Sequence, residues 1–263
     1  MVSLEGHPIM EVETMNQQNY DKLKQLRLSG MADAYETLLS NPSYKDLTFD
    51  ELLGIMIDQE DSVRKSNKLK RLLNQAQFTV QASVEDIQYD SDRKLDRELL
   101  MKLSTGEYIL DGRNIIFKGV SGAGKTWLAT AFGVQACRQF YTVRYIRLPN
   151  LLEEFKIAKH QADGSYTKLM KKLIKVDLLI LDEWLLYELT NEEATLLLEI
   201  INARYEAQKS NIYCSQFDFP GWYEKLGDGT LAEAILDRII HNSYDVFIDG
   251  DISMREKLGL NQK

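Results

Sequence analysis

The sequence predicts an α/β protein, with a parallel sheet flanked by helices and an all-helical N-terminal domain before it. Three observations predict this. From Asn114 onward, short apolar strands alternate with helical stretches, which calls for crossover connections and a sheet covered on both faces. From Gln17 to Lys102, apolar residues instead recur at helical spacing. At the junction, a glycine-rich run lies between a strand and a helix start.

The N-terminal elements follow in order. Residues 1–16 match no readable pattern and are set apart as a divergent tail, with Met10 or Met15 as alternative starts. Leu23, Leu26, Met31, Tyr35, Leu38 and Leu39 mark helix, and Asn41-Pro42-Ser43 breaks it. Thr48 reads as an N-cap with Glu51 in the capping-box position. The helix it opens carries Leu52, Leu53, Ile55, Met56 and Ile57, then turns polar from Asp58 to Asn74. Asp90, Ser91 and Asp92 offer caps for a last stretch, Leu95 to Leu103, closed by Ser104-Thr105-Gly106. The boundary falls between Gln81 and Asp111. It is drawn to give a helical domain at 17–95 and a sheet domain at 96–263.

In the second domain the expected strands are Asn114–Lys118, Thr142–Arg147, Leu178–Leu181, Asn211–Ser215 and Asp245–Ile248. The expected helices are Lys125–Gln139, Asn150–Lys159, Tyr166–Ile174, Glu192–Glu206 and Leu231–Ile240.

Gly119-Val120-Ser121-Gly122-Ala123-Gly124-Lys125-Thr126 reads G-x-x-x-x-G-K-[ST], the phosphate-binding P-loop, and Trp127 follows directly in the helix. Glycines let backbone N–H groups turn around phosphate oxygens, and the helix N-terminus adds favourable potential. Lys125 is then expected to reach the β- and γ-phosphates of a nucleotide, and Thr126 to ligate Mg²⁺.

Val176 to Glu183 reads as a buried strand ending in two carboxylates, with Asp182 lying 57 residues after Lys125. Ligands of such sheets bind at the carboxyl ends of strands. Asp182 is expected to hold Mg²⁺, directly or through water, and Glu183 to orient or activate the attacking water. The acidic pair, with no Asn-Lys-x-Asp run after it, points to ATP rather than GTP. Ser215 and Gln216 end another core strand and read either as γ-phosphate sensors or as ordinary strand-end polarity. Arg238 lies on a mainly apolar helix. It reads either as an arginine finger for a neighbouring subunit's nucleotide or as half of a local ion pair.

Composition narrows the class. The chain has 263 residues with 44% hydrophobic content, as an ordinary globular protein does. No apolar run approaches the ~20 residues of a membrane span, and the N-terminus lacks a secretory pattern. Cys137 and Cys214 read as buried thiols in a reducing compartment. Two separate cysteines and three scattered histidines make no metal cluster. The net charge of −8 does not advertise nucleic-acid binding, though a local basic face can act within an acidic chain. Two such faces are present. Arg64, Lys65, Lys68, Lys70 and Arg71 cluster on one helix; Lys168, Lys171, Lys172 and Lys175 sit on another. Each reads as a DNA-phosphate contact or as a solvated helix face.

Further marks accompany these motifs. They are Leu26-Arg27-Leu28-Ser29-Gly30-Met31-Ala32, Leu47-Thr48-Phe49-Asp50-Glu51-Leu52-Leu53, Leu95-Asp96-Arg97 with Leu99-Leu100, Tyr205-Glu206, Trp222-Tyr223-Glu224, Gly227-Asp228 and Leu236-Asp237-Arg238-Ile239. In this order and spacing, the chain from Leu23 to Arg255 resembles the IstB/DnaC-like branch of AAA+ ATPases. Within that branch it is most like the IstB transposition helpers of insertion sequences. The resemblance implies a P-loop NTPase (AAA+) core with ATP and Mg²⁺ as cofactors. It implies ATP-dependent binding to double-stranded DNA, homo-oligomeric assembly there, and a transposase as partner in a bacterial cytoplasm. The alternative is a DnaC-like helicase loader, with a replicative helicase as partner. The resemblance carries Gly119 to Thr126 over to nucleotide binding, Asp182 and Glu183 to metal and hydrolysis, and Arg238 to the finger position. Two departures stand out: Gln216 replaces a sensor asparagine, and Trp184-Leu185-Leu186-Tyr187 follows Glu183 where relatives usually have a glycine.

Overall fold

Five short strands form the centre of the larger unit in a computed structural model of the chain, which describes residues 8–89, 94–161, 163–227 and 229–249. They are β1 (Asn114–Lys118), β2 (Val143–Arg147), β3 (Leu178–Asp182), β4 (Ser210–Ser215) and β5 (Ser243–Phe247). All pair in parallel, in the order β2-β3-β4-β1-β5. β3 and β4 are buried along their whole length, which explains the apolar runs Leu178–Leu181 and Ile212–Cys214. The register sets Lys118 beside both Ser215 and Phe247, and Arg147 beside Asp182. The carboxyl ends of all five strands therefore meet along one edge.

The helices are α1 (Pro8–Gln25), α2 (Ser29–Ser40), α3 (Phe49–Ala76), α4 (Arg97–Ser104), α5 (Glu107–Leu110) and α6 (Lys125–Arg138). Then come α7 (Leu148–Gln161), α8 (Ser165–Lys175), α9 (Asn191–Glu206), α10 (Phe219–Leu226) and α11 (Gly229–Ile240). Every expected strand and helix of the sheet domain is present, with no end moved by more than two residues. Leu151, Phe155, Leu173, Leu197, Ile200 and Ile235 from the covering helices join Leu179, Leu181 and Tyr213 of the sheet in one buried cluster. Trp184, Tyr213 and Trp222 form its aromatic centre, with Trp184 edge-on to the other two at 4.7 and 5.8 Å between centroids.

Four findings differ from the sequence reading. The helix α1 begins at Pro8, inside the stretch set apart as a tail. Residues 77–89 and 94–96 are not helical apart from a short 3-10 turn at Val84–Asp86. Polar and β-branched residues there (Thr79, Val80, Ser83) carry no helical face to bury. The chain separates into compact units at Met1–Lys70 and Arg71–Lys263, so residues 71–95 belong with the sheet. Finally, Asp96 caps α4 by accepting from Leu99 N at 3.0 Å, while Asp90, Ser91 and Asp92 lie outside the described residues. The expected capping box at the start of α3 is present: the Glu51 carboxylate accepts from Thr48 N at 2.7 Å, and Thr48 Oγ1 accepts from Glu51 N at 3.4 Å.

In the first unit, one carboxylate ties two helices. Glu60 of α3 accepts from Gly30 N at 2.8 Å and Met31 N at 3.2 Å, in the first turn of α2. Its other oxygen accepts from Arg64 Nε at 2.6 Å. The approach is close because residue 30 is glycine; a Cβ there would lie 2.7 Å from Gln59 O and Glu60 Cα. The Arg64 guanidinium, followed by the α2 N–H groups, holds the Glu60 carboxyl below its ordinary pKa. A lowered folded pKa means stability present above the unfolded value of about 4.3 and lost as pH falls through the folded one. Glu60→Gln should therefore cost about 1–3 kcal/mol at neutral pH, and its deficit should shrink on acidification below pH ~4. Denaturant melts of both proteins across pH 3–7 check this, and a deficit independent of pH contradicts it.

Candidate functional site

The glycine loop is shaped by the strands beneath it. Gly119 N donates to Ser215 O at 3.3 Å, and a Cβ on Gly119 would lie 2.4 Å from Ile248 O. Gly119 has φ 153° and Gly124, the N-cap of α6, has φ 96°, both in the region that favours glycine. No side chain caps α6. Its first N–H groups are thus left for an anion rather than for the protein's own oxygens. Lys125 is buried, and its ammonium donates to Gly119 O and Val120 O, each at 2.7 Å. Burial pushes its pKa down from the ordinary lysine value, so an anion beside it stabilises the charged form.

At the end of β3, Asp182 is 4% exposed and surrounded by donors. Its Oδ2 accepts from Thr126 Oγ1 at 2.9 Å and from the Tyr145 hydroxyl at 2.7 Å. Its Oδ1 accepts from Glu183 N at 2.9 Å. Burial pushes the Tyr145 phenol up to about 12, which keeps it a donor near neutrality. Glu183 follows at φ +53°, and Leu185 has the same φ. Non-glycine residues seldom adopt this conformation. Here it is held by Trp184. The Trp184 side chain is 1% exposed, and the residue's backbone N–H donates to Cys214 O at 2.8 Å. The Glu183 carboxylate is half-buried and faces Arg147 Nε at 3.6 Å.

These groups surround a cavity of ≈ 880 Å³. Ser121, Gly122, Gly124, Lys125, Thr126 and Trp127 line it from the loop, Asp182 and Glu183 from β3, and Gln216 from the end of β4. Gly119, Val120 and Ala123 shape the loop without lining the cavity. A hydroxyl, a carboxylate, a buried ammonium and an uncapped helix on one cavity suit a nucleotide phosphate with a hard divalent cation. Among the described residues no cluster of three or more His, Cys, Asp or Glu forms a metal site independent of a ligand.

The remaining expected residues are placed elsewhere. Ser215 is 1% exposed and turned into the core. It donates to Trp184 O at 3.1 Å and accepts from Trp222 Nε1 at 2.8 Å and Phe217 N at 3.1 Å. It braces the aromatic centre and does not line the cavity. Gln216 is exposed and on the cavity. Arg238 does not line the cavity; its guanidinium donates to Asn202 Oδ1 at 2.8 Å and Ala234 O at 2.7 Å, and its local partners are neutral. Of the first basic cluster, Arg64 and Lys65 are tied to Glu60 and Asp61. Lys168, Lys171, Lys172 and Lys175 lie exposed on α8, and no ion pair involves them among the described residues.

The sequence reading missed three parts of the site. Thr79 to Ser83, with Asp86 and Gln88, line the cavity opposite the loop; no motif marks them. Tyr145 and Arg147 were read only as strand residues. Their alternate positions on β2, beside the acidic strand, were the available signal.

A parallel sheet with this loop, helix and acidic strand end defines a P-loop nucleotide-binding protein. A family profile described as IstB-like ATP binding protein matches residues 21–261, and the chain belongs to that family. It is 40% identical over 237 residues to a putative insertion sequence ATP-binding protein of Sinorhizobium fredii, covering 90% of this chain and 96% of the relative. It is 41% identical over 203 residues to the putative ATP-binding protein of insertion sequence IS1162 of Pseudomonas fluorescens, covering 77% and 87%. The crystal structure of the DnaC helicase loader superposes with a TM-score of 0.52 at 19% identity, covering 68% of this chain and 99% of that one, and so shares its fold. Among the described residues no helix is long and apolar enough to cross a membrane.

The two strand-end residues of β4 should respond differently to truncation. Ser215→Ala strands buried donors and should cost about 1–3 kcal/mol, whereas exposed Gln216→Ala should stay within about 0.5 kcal/mol. Denaturant unfolding of both variants tests this; equal losses would contradict the placement of Ser215.

Proposed function

We propose that the protein is a Mg²⁺-dependent ATPase that, with ATP bound, assembles on double-stranded DNA and stimulates a partner transposase. The observation that carries this reading is the convergence of Lys125, Thr126, Asp182 and Glu183 on one cavity at an uncapped helix N-terminus. Membership in an ATP-binding family and relatives named as insertion sequence proteins support it.

In this reading the phosphates lie against the α6 N–H groups, and Lys125 exchanges its two carbonyl partners for phosphate oxygens. Thr126 and Asp182 hold Mg²⁺, which when bound neutralises charge on the phosphates. Glu183 takes a proton from water as the water oxygen bonds to the γ-phosphorus and the bond to the β,γ-bridging oxygen breaks. Arg147 fixes the direction of the Glu183 carboxylate. Arg238, outside its own cavity, serves the nucleotide of a neighbouring copy in an oligomer on DNA. The exposed α8 lysines suit DNA phosphates better than the Arg64 cluster, whose first two members are engaged.

Glu183→Gln should keep ATP binding and lose about 10²–10⁴-fold in turnover. Turnover equal to the parent removes Glu183 from the chemistry. Lys168→Glu with Lys172→Glu should weaken ATP-dependent binding to duplex DNA and flatten its salt dependence, since fewer counterions are released. Unchanged affinity and slope rule out the α8 face. Stimulation of the transposase from the same element, against loading of a replicative helicase, separates the proposal from the helicase-loader alternative.

A further inference from the structure

Asp182 has more partners than a metal-holding carboxylate beside a P-loop requires. A carboxylate offers about four lone-pair sites, two on each oxygen. On Oδ2 both are taken, one by Thr126 Oγ1 at 2.9 Å and one by the Tyr145 hydroxyl at 2.7 Å. On Oδ1 one is taken by Glu183 N at 2.9 Å. Tyr145 is 3% exposed and does not line the cavity itself; it reaches Asp182 from the neighbouring strand β2, and its hydroxyl also bonds Thr79 and Arg147.

We infer that Tyr145 is a positioning residue that makes Asp182 select a hydrated Mg²⁺, by closing Oδ2 to direct coordination. The inference deepens the proposed function and rests on its reading of Asp182 as the metal-holding carboxylate. The reasoning is one of capacity. With Oδ2 saturated, the open capacity of the carboxylate lies on Oδ1. It meets a cation best through the cation's own water, which also satisfies a hydrogen bond. Mg²⁺ gives up water reluctantly and is suited to such a holder, while Mn²⁺ exchanges water for carboxylate oxygen more readily. Removing the phenol hydroxyl opens one Oδ2 site to direct ligation. It also frees the carboxylate to rotate, because a donor from the sheet side no longer holds it. Thr126, which donates to the same oxygen, cannot substitute, since its bond is already made.

The test is Tyr145→Phe, which keeps the ring that fills the space between β2 and β3. Affinity for a fluorescent ATP analogue is measured in EDTA and against rising Mg²⁺ or Mn²⁺. Partners behind a metal ligand typically shift metal affinity by about 10–100-fold. The Mg²⁺ concentration for half-saturation should rise about tenfold relative to that for Mn²⁺, with affinity in EDTA unchanged. Magnetic resonance of Mn²⁺ bound with a non-hydrolysable analogue should count fewer coordinated waters in Tyr145→Phe than in the parent. Adding Tyr145→Phe to Asp182→Asn should change neither quantity further. This double variant also separates a loss of fold from a loss of positioning, because a folding defect lowers the EDTA affinity in both backgrounds. Half-saturation values that move together for the two ions, or an unchanged water count, overturn the inference. A parent whose nucleotide affinity ignores both metals overturns the Mg·ATP reading itself, which is a distinguishable failure.

Discussion

The carboxylate of Asp182 is the point on which the site depends. It lies at the end of a fully buried strand, so its charge is tolerable only because donors surround it. Those donors come from three elements: Thr126 from α6, Tyr145 from β2, and Glu183 N from the turn after β3. Each hydrogen bond also fixes the position of something else. Thr126 is the second residue of α6, so its bond to Asp182 sets the helix end against the acidic strand. The Glu183 N–H bond helps hold that residue at its positive φ and aims the neighbouring carboxylate toward Arg147.

Behind this edge, the structure provides rigidity rather than chemistry. Ser215 is the clearest case. One hydroxyl joins the backbone of Trp184, the indole of Trp222 and the start of the turn after β4. The turn carrying Glu183 is thereby braced from below by an aromatic cluster. Arg204 does similar work at the opposite end of the sheet. It is fully buried and donates to Asn211 Oδ1 and to the carbonyls of Leu173, Val176 and Ser210, tying the end of α8 and the link after it to β4. The helix that presents the unpaired lysines is therefore anchored through its C-terminal end to a strand of the nucleotide site.

Much of this was legible in the sequence, for physical reasons. The glycine loop needs its residues in a fixed order, because backbone conformation and anion contact are both local. The central strands of the sheet, β1, β3 and β4, are buried and show themselves by their apolar stretches. The capping box at Thr48 and Glu51 is equally local. What the sequence left unread depends on distant partners. Thr79 to Ser83 line the cavity only because the chain after α3 returns along the sheet domain. Tyr145 became a partner of Asp182 through strand register, and Ser215 turned inward because Trp222 offered a donor. Neither is visible without knowing which strands are neighbours. The reading of 17–102 as mostly helical does not hold at 77–89, where no apolar periodicity demands a helix.

The proposed account treats the nucleotide site as a switch for assembly on DNA, with the α8 lysines as the contact surface and Arg238 completing a neighbour's site. Its central claim is that the bound nucleotide decides whether DNA is held. The most direct measurement is fluorescence anisotropy of labelled duplex DNA titrated with the protein, in Mg²⁺ with a non-hydrolysable ATP analogue and in Mg²⁺ with ADP. The account predicts tight, salt-sensitive and cooperative binding with the analogue and weak binding with ADP. Equal affinity in the two nucleotide states would contradict it.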